Sequence, residues 1–359
     1  MKKLYGAIII AMLSFTLVSC GGKSEAAENT EEKGTLKAAL LIENLGDMSF
    51  NDSANKGMEM ASKDFGFDLK VIEYQSVDKA ESTFIDTADS DYDVIIVNPS
   101  FTTVLEKYAE GYVDKKFILF DDSVDYEVGD MSNVYSIIYS ANESSFLVGY
   151  LGARMSDSGI LAFLGGVENP IINDFLVGFI GGAIEANPDV KVTSTYVGDW
   201  QDSAKGKDLT LSMFNQGADI GFAAAGQAGI GLIEAAVDEG KYVFGVDLDQ
   251  YELFKSQENE EMANVIVSSA MKNVDKSLYR AMELYFENGL EFGKAEILGI
   301  KEDGVGLADN QYYNDIVPED IRNDVKVLEE KIINGDITIN SAYGKTAEEV
   351  AEIKNAVKP

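Results

Sequence analysis

From residue 36 onward, short β-branched apolar runs alternate with longer stretches of helical spacing. Residues 36–42 (LKAALLI) form the first run; residues 50–64 follow as a helix with Lys56, Met60 and Asp64 along one face. Further strands are expected at 68–74, at 92–97 before Asn98-Pro99, and at 117–120 before Asp121-Asp122. The rhythm restarts near residue 146. Helices are expected at 146–155, 175–187 and 204–216, with strands at 159–164, 190–197 and 219–224. After Ala225-Gly226-Gln227-Ala228-Gly229 a helix runs to 240, then a strand at 242–246 ends in Asp247. A Val/Ile-rich strand follows, and residues 268–275 read as the start of the next helix. Strand–helix–strand at this spacing predicts a parallel sheet with helices on both faces. Two successive rounds predict an α/β chain of two doubly wound lobes facing a cleft; one large sheet is the alternative. Ligands of such sheets bind beyond the carboxyl ends of the strands.

The first 34 residues follow a different pattern. Lys2 and Lys3 precede an apolar run at 6–18, too short to span a bilayer comfortably and suited to a signal peptide over residues 1–19. It ends in Leu17-Val18-Ser19-Cys20-Gly21, and Cys20 is the chain's single cysteine. Small residues before a lone cysteine resemble a bacterial lipobox, which implies a lipid on Cys20; an uncleaved anchor helix is the alternative. Residues 20–34 are polar and without aromatics, and so read as a flexible tether. The remaining body of about 325 residues is long enough for two domains.

Composition narrows the chemistry. With 29 Lys plus Arg against 62 Asp plus Glu, the net charge is −33. Nucleic acid is not an expected partner, because phosphate backbones demand a basic surface. There is no histidine, which removes Ser-His-Asp catalysis and His-based metal sites. No phosphate-binding Gly-x-x-x-x-Gly-Lys-Ser/Thr loop is present. No cofactor or metal is expected, and a binding protein is favoured over an enzyme, although carboxylate-only hydrolysis is compatible with so acidic a chain.

The strand-end loops hold the candidate binding residues. After the first strand, Asp47, Ser49 and Asn51 supply acceptors and donors and Phe50 supplies a flat face; Ser49 or Asn51 is alternatively a helix cap. Asp121 and Asp122 end the fourth strand. Trp200, the single tryptophan, lies in Gly198-Asp199-Trp200-Gln201-Asp202, poorly placed for a sheet core and well placed to stack on a ring; core packing is the alternative. The turn at Gly226 lets the backbone approach a ligand closely. Asp247 and Asp249 follow a buried strand. Lys272, near an expected helix start where the dipole disfavours a cation, calls for a partner such as Asp247 or a ligand hydroxyl; a solvated lysine is the alternative.

Taken together, Leu45-Gly46-Asp47-Met48-Ser49-Phe50-Asn51-Asp52, Tyr196-Val197-Gly198-Asp199-Trp200, Gly245-Val246-Asp247-Leu248-Asp249-Gln250, Lys272-Asn273-Val274-Asp275 and Asp303-Gly304-Val305-Gly306-Leu307-Ala308 resemble motifs of the Bmp/PnrA family. These are substrate-binding lipoproteins of bacterial ABC-type nucleoside importers. The resemblance implies a periplasmic-binding-protein type I fold: two Rossmann-like lobes joined by three crossovers, near 139–146, 267–272 and 304–310. It implies a first lobe of residues 35–142 plus about 270–305 and a second of 143–269 plus about 306–359. It further implies a purine nucleoside stacked between Phe50 and Trp200, with Asp47 and Asn51 at the base edge and Asp121, Gly226, Asp247 and Lys272 on the ribose. Asp122 competes with Asp121, since only a strand-end position is matched. Trp200 stands where the family usually has Phe, and Gln227 where it usually has a second Gly. The expected partners are a nucleoside, a cognate permease and ATPase, and the membrane, reached extracytoplasmically through lipid on Cys20. Other readings are a flavin or sugar as cargo, or an envelope sensor or antigen.

Overall fold

The computed structural model describes residues 35–359. The expected signal peptide, Cys20 and the tether lie outside the described residues. In chain order, β1 (Lys37–Ile42), α1 (Phe50–Phe65), β2 (Asp68–Glu73), α2 (Ala80–Ala88), β3 (Val94–Val97), α3 (Thr102–Tyr108), β4 (Lys116–Phe120) and β5 (Val134–Tyr139) build the first lobe. The chain then crosses into α4 (Ala141–Met155), β6 (Ile160–Gly165), α5 (Pro170–Ala186), β7 (Lys191–Tyr196), α6 (Ser203–Asn215), β8 (Ile220–Ala224), α7 (Ile230–Glu239), β9 (Tyr242–Asp247), α8 (Gln250–Ser256), α9 (Glu260–Ala263) and β10 (Ile266–Lys272). It returns to the first lobe for α10 (Val274–Phe286) and β11 (Lys294–Leu298). The second lobe ends with β12 (Val305–Leu307), α11 (Gln311–Ile316), α12 (Glu319–Asn334) and α13 (Ala347–Ala356).

Each lobe holds one six-stranded sheet, ordered β11-β5-β4-β3-β1-β2 in the first and β12-β10-β9-β8-β6-β7 in the second. All neighbours are parallel except β12, which runs antiparallel to β10. The interior strands are covered on both faces and read as unbroken apolar runs such as Val94–Val97, every residue buried. Helix ends follow their local chemistry. Asn169 accepts from the Ile172 amide ahead of Pro170, starting α5, and Gly66 closes α1 in the left-handed conformation. The chain passes between the sheets three times, after Tyr139, after Lys272 and between Leu298 and Val305. Among these, α10 packs on α1 and β11 pairs with β5, so the late segment completes the first lobe.

One expectation is corrected here. Residues 268–272 do not begin a helix; they finish β10, and the helix starts at Val274. Ser268 and Ser269 look like capping residues in sequence, but β10 lies between β9 and β12, and both hydroxyls are satisfied inside the fold. Ser268 Oγ donates to the Ala308 carbonyl at 2.7 Å and Ser269 Oγ accepts from the Gln250 amide at 3.2 Å.

Candidate functional site

The carboxyl ends of both sheets open onto one cavity of about 310 Å³. The first lobe contributes Glu43, Asp47, Phe50 and Asn51 after β1, Tyr74 after β2, Asn98 and Ser100 after β3, and Asp121 after β4. The second contributes Asn169 after β6, Trp200 after β7, Gly226 and Gln227 after β8, Asp247 at the end of β9 and Lys272 at the end of β10. The eight residues that the family resemblance assigns to the ligand, from Asp47 to Lys272, all line this one space, whereas Ser49, Asp122 and Asp249 from the same loops do not.

The loop after β1 is fixed by its own acids. Asp47 accepts from the Asn51 amide at 2.8 Å and from the Ser49 and Asp52 amides at 3.1 Å, capping α1. Asp52 reaches back to the Gly46 and Met48 amides at 2.8 and 2.9 Å. Burial pushes the Asp47 carboxyl up to about 6, against the pull of those amides. With both its oxygens already engaged, the free acceptor on this wall is Asn51: its Oδ1 is buried and has no partner among the described residues. An orphaned polar atom inside a protein is costly unless something else fills the gap, which points to a ligand group at this position.

At the centre sits Lys272, whose side chain is 3% exposed. Its partner is Asp121, with both carboxylate oxygens at 2.8 Å, rather than Asp247. The ammonium also lies 4.8 Å from the Phe175 ring centre and 5.3 Å from that of Phe50. Burial raises the Asp121 carboxyl to about 6 and outweighs the neighbouring ammonium. Asp247 is likewise raised by burial and accepts a hydrogen bond from Ser49 Oγ across the cleft. Asp121 and Asp247 occupy equivalent strand ends in the two lobes, and both are non-glycine residues with positive φ, 69° and 62°. Both residues line the cleft from these strained positions. Asp122 turns away instead, accepting from Thr102 Oγ1 at 2.6 Å.

Trp200 lies on a glycine platform. A Cβ on Gly166 would run into Cε3 and Cζ3 of the indole, and one on Gly226 (φ 55°) would come 3.9 Å from Cε3. Phe50, on the other lobe, leans on Phe120 with ring centres 5.2 Å apart. Sequence reasoning passed over Tyr74, Asn98, Ser100, Glu43 and Phe175. Tyr74 Oη donates to Ser100 Oγ at 3.0 Å and accepts from Asn98 Nδ2 at 3.0 Å, forming a buried polar wall. Asn98-Pro99 at a strand end was the available signal for it. Glu43 is raised by burial and, secondarily, by Asp199 of the opposite lobe.

The two-sheet, three-crossing arrangement recurs in solved structures. A solute-binding protein of an ABC transporter system from Aeropyrum pernix K1 superposes with a TM-score of 0.77 at 25% identity, covering 89% of this chain and 98% of that one. An ABC transporter solute-binding protein from Mycobacterium smegmatis, solved with bound glycerol, shares the fold at a TM-score of 0.60 and 15% identity, over 80% of this chain and 98% of that one. Two parallel-sheet lobes with a lined cleft between them define a type I periplasmic-binding-protein fold. Substrate-binding proteins of ABC transporters, which share it, bind a ligand and work with a permease and an ATPase. The sequence then narrows the class. A profile described as "ABC transporter substrate-binding protein PnrA-like" (Bmp) matches residues 36–342. Basic membrane protein D of Borreliella burgdorferi is 32% identical over 94% of this chain and 95% of its own length, and basic membrane protein A of Borreliella afzelii is 31% identical over 90% and 95%. The chain belongs to the Bmp/PnrA-like family, whose members act outside the cytoplasm. Among the described residues no helix is long and apolar enough to cross a membrane.

Proposed function

We propose that this protein captures nucleosides, purines foremost, in the interlobe cleft for uptake, and that a lipid on Cys20 holds it at the outer face of a membrane. One observation carries the reading. Phe50 and Trp200, from opposite lobes, line a single cavity whose other charged walls are four carboxylates and one lysine. Two aromatic faces suit a flat heterocycle, and stacking contributes roughly 1–3 kcal/mol per base. Asn51 offers an open acceptor to the base edge, while Asp121, Asp247, Lys272 and the Gly226 backbone suit ribose hydroxyls. Hydrogen bonds to charged groups add roughly 1.5–3 kcal/mol each. Micromolar affinity requires only about 8 kcal/mol net, so these contacts suffice after association costs. The acid-rich lining, with no arginine, disfavours a phosphate. None of these groups forms a nucleophile with an adjacent base, which favours binding without turnover.

Trp200 reports directly, because it is the chain's single tryptophan. Titration with inosine or adenosine should quench or shift its emission, and AMP should bind far more weakly. Tight AMP binding, or a response to a flavin or sugar with none to any nucleoside, refutes the assignment. Loss of metabolic palmitate labelling in Cys20→Ser tests the anchor.

A further inference from the structure

We propose that Met48 is a positioning residue: an apolar hook on the first lobe that holds the second lobe shut over the cleft. Met48 belongs to the loop after β1, in the first lobe, yet its side chain packs against the second lobe's apolar cluster, which includes Ala228, Tyr251 and Phe254. Every other member of that cluster comes from residues 160–312. The Met48 carbonyl accepts from Gln250 Nε2 at 3.0 Å, and Gln250 is itself fixed, since its Oε1 accepts from the Val246 amide at 3.2 Å. The next residue, Ser49, bonds Asp247 across the same gap. Met48 does not line the cavity, whereas its neighbours Asp47, Phe50 and Asn51 do. It is also held with φ at 54°, a conformation that costs a non-glycine residue free energy, and its amide is tied to Asp52 Oδ2 at 2.9 Å.

Five consecutive residues thus divide two tasks. Asp47, Phe50 and Asn51 face the ligand space; Met48 and Ser49 grip the opposite lobe. A ligand that orders Phe50 and Asn51 also sets Met48 in its seat, so occupancy and closure are coupled through the backbone of one short loop. Apparent affinity scales with the fraction of molecules in the binding-competent, closed arrangement. Removing the hook lowers that fraction, and so weakens every ligand by the same factor without touching any of them.

The inference rests on the reading of the cleft as a ligand site but not on the ligand being a nucleoside. The test uses the full-length chain with Cys20→Ser, carrying Lys79→Cys on the first lobe and Glu252→Cys on the second, both exposed, labelled with a donor–acceptor pair. Met48→Ala should lengthen the label separation in the ligand-free protein. It should also weaken every nucleoside bound by the unsubstituted protein by about tenfold, or about 1.4 kcal/mol, chiefly through faster release. Met48→Leu, which refills the seat, should restore both. An unchanged ligand-free separation overturns the proposal, and so does a weakening that differs between ligands. Should the unsubstituted protein bind no nucleoside, the cargo assignment falls, while the ligand-free separation of Met48→Ala still decides the role of Met48.

Discussion

Lys272→Met should destabilise the ligand-free protein in a way that fades with acid. The lysine is the cation that faces Asp121 at 2.8 Å, and both side chains are buried. Breaking such a pair from one side costs roughly 3–5 kcal/mol, because the remaining charge is left without compensation. Asp121 already titrates near 6 with Lys272 in place, since burial raises it above its ordinary 3.8. Without the ammonium it rises further. A raised carboxyl works against folding at neutral pH: its penalty is absent below the unfolded value, grows as pH increases and is complete above the folded value. Between pH 6 and 7.5 the variant's Asp121 keeps its proton, while the native one goes from half ionised to almost fully ionised. The gap in stability should therefore narrow by about 1.5 kcal/mol as pH falls across that interval, with a slope that approaches about 1.4 kcal/mol per pH unit at its upper end. Urea unfolding of both proteins at pH 7.5, 6.75 and 6 measures it. A chain of this size shifts its melting temperature by about 2 °C per kcal/mol, so the thermal gap should shrink by about 3 °C. In the Asp121→Asn background the pH dependence of the Lys272→Met effect should shrink to the part carried by Asp247, a buried carboxyl that the same ammonium holds down. A gap that is flat with pH, or widens in acid, would show that Asp121 does not depend on this cation.

Two further substitutions probe the cleft. Gly166→Ala puts a methyl group where the Trp200 indole lies, so the ligand-free emission should shift and nucleoside affinity should fall by at least tenfold with the fold intact; a native spectrum and native affinity would remove Trp200 from its platform. Asn51→Ala deletes a buried acceptor that has no partner among the described residues, so stability should hold or rise slightly while affinity falls roughly tenfold to hundredfold; calorimetry showing lost stability with unchanged affinity would make Asn51 structural.

Much of the fold is legible in local pattern because its interior strands, covered on both faces, are uninterrupted apolar runs, and because Gly- and Asp-rich loops mark their ends. What was missed depends on neighbours distant in sequence. Residues 266–272 carry two serines and a lysine, and only the position of β10 between β9 and β12 makes them a strand. For the same reason Lys272 finds Asp121, 151 residues away, rather than the nearer Asp247. Tyr74 joins the cleft wall through Asn98 and Ser100, a meeting set by the strand order β3-β1-β2. Helix α5 begins five residues before the expected start, and here a local signal was present, since Asn169-Pro170 is a cap followed by a helix-compatible proline. Met48 gives no signal in sequence, because its importance comes from the lobe opposite.

The three passages between lobes also set an order of assembly. Residues 35–139 emerge first, yet their sheet lacks its β11 edge and α1 lacks the cover of α10 until residues 274–298 follow. In that interval the outer edge of β5 and the apolar face of α1, with Ala54, Met58 and Ala61, stand open. Unpaired edges and bare helix faces are what nascent chains stick by. The lobe that is begun first is therefore finished only after most of the second has been made, and a chain halted before residue 274 would carry both adhesive surfaces with nothing in its own length to close them.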